Sequence, residues 1–179
     1  MSDELQELKE HAEAAEHNPE LAPVSLTMAI LAVLVASVSL LGHRAHTEEV
    51  ILQNKISDQW AFFQAKSIRR HTDELFADLT SVVTSKDADQ GTKLHDKYAA
   101  EADRYRDEQK ELEAKAHELE QDAEHTRKRA DRFDLGEALL EIGLVITSIT
   151  LLSGRNMFWF AGIVLGIAGV AMAVTALLL

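Results

Sequence analysis

Cysteine is absent from the 179 residues. That excludes disulfides, thiol nucleophiles and thiolate metal sites together. Proline occurs only twice and glycine eight times. Neither interrupts 44–84 or 92–133, so two long stretches lack the residues that break helices. Also lacking are a Gly-rich phosphate loop, a placeable Ser/His/Asp constellation and a metal motif with useful spacing. Enzyme chemistry therefore has little footing, and no cofactor is expected.

Basic residues are outnumbered, 18 against 30, for a formal charge of -12. The composition alone would suit one acidic soluble domain, but its distribution does not. Apolar residues are concentrated in 24–41, 135–152 and 157–179, and almost every charge lies outside those runs. A span needs about 20 apolar residues to cross a hydrocarbon core roughly 30 Å thick, and each run comes close. The third opens on Phe158, Trp159 and Phe160, suited to a headgroup interface. The second carries Glu137 and Glu141 in its first two turns. A cleaved signal peptide is a poor account of the first, because seven carboxylates and only Lys9 precede it.

The expected fold is an all-α membrane protein: three transmembrane helices, with a long antiparallel coiled-coil hairpin inserted between the first and second. Its parts are an acidic tail at 1–22, spans at 23–42, 135–152 and 157–179, and a hairpin at 43–134. The hairpin has arms 44–84 and 92–133 joined by a turn at 85–91, where Ser, Asp and Gly cluster. Sixteen of the 18 Lys and Arg lie between the first two spans. The positive-inside tendency therefore places the hairpin in the cytoplasm and the tail outside. The localisation this implies is that of a multi-pass membrane protein.

Periodicity is clearest in the second arm. Tyr98, Ala102, Tyr105, Gln109, Leu112, Ala116, Leu119, Ala123, Thr126, Ala130 and Phe133 alternate steps of four and three, the heptad seam of a left-handed coiled coil. The first arm offers two stripes. Ala61, Ala65, Ile68, Thr72, Leu75, Leu79 and Val82 are expected to face the second arm, with Leu79 near Tyr98 and Ala61 near Ala116. The second stripe, Leu52, Ile56, Trp60 and Phe63, is then expected to pack against another subunit of a homo-oligomer. Small residues recur at the same spacing in the spans: Ser25, Ala29, Ala32, Ala36 and Ser39 in the first, Gly162, Gly166, Gly169, Ala173 and Ala176 in the third. They are packing faces, since helices in lipid associate by close approach. Spacing does not say whether they join one chain or several.

The run Leu52, Gln53, Asn54, Lys55, then Ser57 to Ile68 with its core Asp58, Gln59, Trp60, Ala61, Phe62 and Phe63, resembles the signature of bacterial domain-of-unknown-function family 4337. The order of tail, span, hairpin, basic stretch and two closing spans is similar over nearly the whole chain. The resemblance implies a membrane protein and carries over no catalytic residue.

Several charged groups invite a functional reading. Arg127, Lys128, Arg129 and Arg132 would attract anionic headgroups, at about 1 kcal/mol per charge near a cytoplasmic surface. Membrane lipid is thus an expected partner and a cytoplasmic protein a further one. Nucleic acid is not, because the arm is equally rich in Asp and Glu. His43 and His46 share a helical face and are weak candidates for a metal site. Glu141 lies deepest in its span. Either it is neutral, hydrogen-bonded to hydroxyls such as Ser37, Ser39 and Thr175, or it ionises in a ring with Glu137 around a conducting pore.

Overall fold

The computed structural model describes residues 21–82 and 88–179, and these are helical apart from short ends and one turn. Helix α1 spans Ala22–Val82, α2 Ala88–Ser153 and α3 Asn156–Leu177. All three are long and apolar enough to cross a membrane, by length and composition. The tail at 1–20 and residues 83–87 lie outside the described part. Of the expected turn at 85–91, the last residues Asp89, Gln90 and Gly91 instead belong to the first turn of α2. Asp89 suits that place, since a carboxylate favours the positive end of the helix dipole.

No helix breaks where the charged and apolar stretches meet. Gly42 is helical, and a Cβ there would lie 3.4 Å from the Phe133 Cβ; its smallness serves close packing. Pro23 stands in the first turn of α1, where its missing N–H costs nothing. Gly154 ends α2 with a φ of 64° and donates its N–H to the Thr150 carbonyl at 2.9 Å. That left-handed close is one glycine adopts without a Cβ penalty.

The chain divides into two compact units. The first comprises 21–48 and His125–Leu179. Its interior is lined by Val24, Met28, Leu31, Val38 and Ala45 of α1, Ala130, Phe133, Leu140, Thr147 and Thr150 of α2, and the five small residues of α3. The expected third-span stripe is thus buried inside one chain. The first-span stripe is offset by one residue: Met28, Leu31 and Val38 point inward, while Ala36 is exposed. Volume explains the shift. With Gly and Ala on α3, the larger α1 side chains are needed to fill the space, and Leu31 fills the hollow over Gly166.

The second unit, Glu49–Glu124, is an antiparallel hairpin of α1 against α2. Gln59 Nε2 donates to the Leu112 carbonyl at 3.2 Å, Lys66 Nζ meets Glu108 at 2.5 Å, and Phe76 stacks on Tyr98 at 5.2 Å. One number rises as the other falls. Every member of the α2 heptad in this unit is buried or half-buried. The α1 side is the reverse of expectation. Leu52, Ile56, Trp60 and Phe63 turn toward α2, followed by Lys66, Arg70, Asp73 and Ala77, whereas Ala61, Ala65, Ile68, Thr72, Leu75, Leu79 and Val82 are exposed.

Two features of α2 account for the choice. Alanines at 102, 116 and 123 are small and buried on the seam, and Trp60 meets α2 at His117 and Glu120. Charges beside the seam meet opposite charges on α1: Glu108 pairs with Lys66, which lies 4.9 Å from the Tyr105 ring, and Arg106 reaches Glu74 at 3.5 Å.

Ala116 is fully buried, so Ala116→Leu should destabilise the hairpin by about 1 to 3 kcal/mol through overpacking. Thermal unfolding of the full chain in detergent, followed by circular dichroism, reads this. The neighbouring exposed substitution Glu113→Leu should leave the transition in place.

Candidate functional site

Two surfaces of α2 and one of α3 hold the chemistry of the first unit. Gly136 and Gly143, seven residues apart, bring α2 against α3. A Cβ on Gly136 would stand 2.9 Å from the Gly169 carbonyl, and one on Gly143 3.0 Å from the Gly162 carbonyl. Both obstacles are backbone, so only glycine fits. Thr147 is fully buried and donates its hydroxyl to the Gly143 carbonyl at 2.8 Å, in space that Gly162 leaves open. The hydroxyl is satisfied within its own helix, as an apolar surround requires. Sequence reading missed Gly136, Gly143 and Thr147; their heptad-like spacing was the available signal.

A belt of polar contacts joins the helices of this unit. His46 Nε2 lies 3.0 Å from Asp134, Arg129 lies 3.9 Å from Glu48, and Arg132 donates to the Thr175 carbonyl at 3.4 Å. The last contact covers a carbonyl near the C-terminus of α3 that has no partner in its own helix. Arg127 and Lys128 are exposed. Of the expected basic group, then, two members face outward and two are engaged in packing. At the opposite end Trp159 Nε1 donates to Thr27 Oγ1 at 3.0 Å and ties α3 to α1.

His43 does not join His46 in a ligand set. Its Nδ1 lies 2.9 Å from the Ser39 carbonyl. Among the described residues no group of three or more His, Asp or Glu side chains is placed to hold a metal ion.

Glu137 is half-buried and Glu141 is exposed on the outer face of α2, beside Ile142 and Val145. Two of the three hydroxyls expected to receive Glu141 are used elsewhere. Ser37 donates to the Val33 carbonyl and Thr175 to the Met172 carbonyl, each within its own helix. One residue step of rotation separates expectation from structure, for a simple reason. The interior face of α2 is occupied by Gly136, Leu140 and Gly143, and Glu141 follows Leu140 by about 100°.

In the hairpin, Trp60 Nε1 donates to Glu120 Oε1 at 3.0 Å and its ring meets His117 edge-on at 5.7 Å. The hydrogen bonds from His117 and then Trp60 hold the Glu120 carboxyl below its ordinary value. The hydrogen bond from Lys66 does the same for Glu108.

A carboxylate held low stabilises the fold above its unfolded pKa, and that contribution is lost as pH falls through the lower folded value. Acid unfolding of the hairpin should therefore begin below about pH 4.5, the ordinary value for Glu108. Lys66→Met should flatten the acid limb of the stability-against-pH curve while leaving the neutral limb parallel to the parent. Packing is tested separately. A Cβ on Gly169 would meet the Gly136 carbonyl at 2.7 Å and the Leu140 nitrogen at 3.1 Å, so Gly169→Ala should cost about 1 to 3 kcal/mol. Unfolding of the full chain by SDS titration reads this, and the exposed substitution Ile167→Ala should be close to neutral there.

No curated protein and no solved structure matches this chain. Residues 20–179 match the family described as a domain of unknown function, DUF4337. The match takes in both helical units and the Trp60 segment, and the chain belongs to the DUF4337 family.

Proposed function

We propose that this protein is a non-enzymatic, oligomeric scaffold of a bacterial inner membrane, anchored by three spans and presenting its hairpin to the cytoplasm. One observation carries the anchoring. The first unit differs from a soluble domain: the inner face of α3 is glycine and alanine alone, while Leu26, Ile30, Val33, Val145, Val164 and Ile167 are exposed. Water would penalise that surface at roughly 25 cal/mol per Å², and monomeric soluble proteins rarely expose contiguous apolar patches larger than a few hundred Å². Lipid tails accept it, and close packing of small residues then holds the helices together.

Exposed Arg127 and Lys128 support contact with anionic headgroups on the cytoplasmic side. The hairpin supports a scaffold role because its chemistry is that of helix association, with a seam of alanines, aromatics and ion pairs. Its partner classes are a second copy and a cytoplasmic protein.

Glu141 favours a second reading. A carboxylate on an apolar outer surface is costly, by about 2.5 kcal/mol or more at the centre of a span, and a ring of copies around a water-filled pore would let it ionise. Glu141→Gln removes the charge and keeps the size. The scaffold reading expects the parent to be silent in planar bilayers and the variant to assemble normally; cation conductance present in the parent and lost in the variant would replace it with the channel. Orientation has its own test. In intact cells Gly91→Cys should resist an impermeant thiol reagent and Ser2→Cys should react, and the chain's lack of native cysteine keeps the background clean.

A further inference from the structure

The hairpin turns its more polar stripe inward. Opposite α2, Lys66, Arg70 and Asp73 occupy seam positions, while the more apolar heptad of α1 faces out, with Ile68, Leu75 and Val82 exposed by 67%, 69% and 80%. That outer stripe keeps alternating steps of four and three from 61 to 82. A strict heptad phase matches a helix running alongside at a shallow angle. The helix that formed the hairpin has not used it.

We propose that this face of α1 binds the same face of a second copy, paired parallel and in register about a two-fold axis. Three observations select that occupant. First, among the described residues of the hairpin the large exposed apolar side chains of α2 amount to Leu94 alone, whereas α1 carries several. The complement that a second copy offers to an α1 stripe is therefore an α1 stripe, an isologous contact.

Second, the flanking positions meet without like charges. In the parallel register Arg69 stands beside Gln64 of the other copy and His71 beside Phe76, whereas the outward faces of α2 are dense in Asp and Glu and would repel their equals. Third, the direction follows from anchoring. Two copies held in one membrane send α1 the same way, so the pairing is parallel; this step rests on the membrane reading above.

Size limits the contact. A stripe from 61 to 82 is about 33 Å long and would cover on the order of 1,000 Å² in total, the low end for a specific complex. It needs the raised effective concentration that a shared membrane supplies. The contact therefore belongs to the full chain in a bilayer.

The test uses single cysteines in the full chain, expressed in membranes and oxidised mildly. Ile68→Cys, Leu75→Cys and Leu79→Cys should each give a disulfide-linked dimer, and Glu113→Cys on the outer face of α2 should not. Leu75→Glu with Leu79→Glu should abolish the Ile68→Cys dimer while helical content persists. Equal cross-linking at all four sites, or none at the stripe, would overturn the pairing. Cross-linking of Ile68→Cys to Leu79→Cys in mixtures, without the homotypic products, would replace it with an antiparallel contact. Alkaline carbonate extraction of the same membranes separates the two ideas: release of the chain removes the anchoring reading, and the homotypic dimers then decide the stripe by themselves.

Discussion

Where α2 meets α3, two peptide backbones approach until the Gly169 carbonyl occupies the space a Gly136 side chain would need. The rest of the first unit depends on that approach. Glycine and alanine at five positions of α3 supply little apolar area of their own, so the gain is dispersion between closely packed backbones rather than removal of large side chains from water. Larger residues come from α1, whose Leu31 enters the hollow over Gly166. Hydroxyls that this tight interior encloses are satisfied locally, as Thr147 shows with the Gly143 carbonyl.

The hairpin uses small residues differently. Alanine recurs along the α2 seam, yet α1 answers with Trp60, Phe63, Lys66 and Arg70, so the layers pair large against small. Lys66 reaches across the seam to Glu108 and the Tyr105 ring. Exposed ion pairs of this kind each add little. Their effect is to decide which stripe of α1 is admitted, because a face carrying Ile68, Leu75 and Leu79 would carry Lys66 away from Glu108 and Glu74 away from Arg106.

Over 135–152 the exposed face of α2 is apolar apart from the carboxylate of Glu141, and on the hairpin the longest exposed apolar stripe is the heptad of α1 from 61 to 82. Each is incomplete as a surface facing water. In the proposed assembly, lipid would complete the first and a helix of the same period the second.

Composition and periodicity by themselves determined the helical class, the three apolar stretches, the α2 seam and the small-residue face of α3, because each depends only on which residues recur along one helix. Partner choice depends on more. Two stripes of equal period lay on α1, and spacing ranks neither; volumes and charges on α2 selected Leu52, Ile56, Trp60 and Phe63 for the intrachain seam. In the same way, the third-helix stripe could serve one chain or several until Gly136 and Gly143 were seen against it. Glu141 turned outward because Leu140 and the glycines beside it hold the inner face. Tertiary structure decided these matters, since each compares surfaces far apart in sequence that only folding brings together.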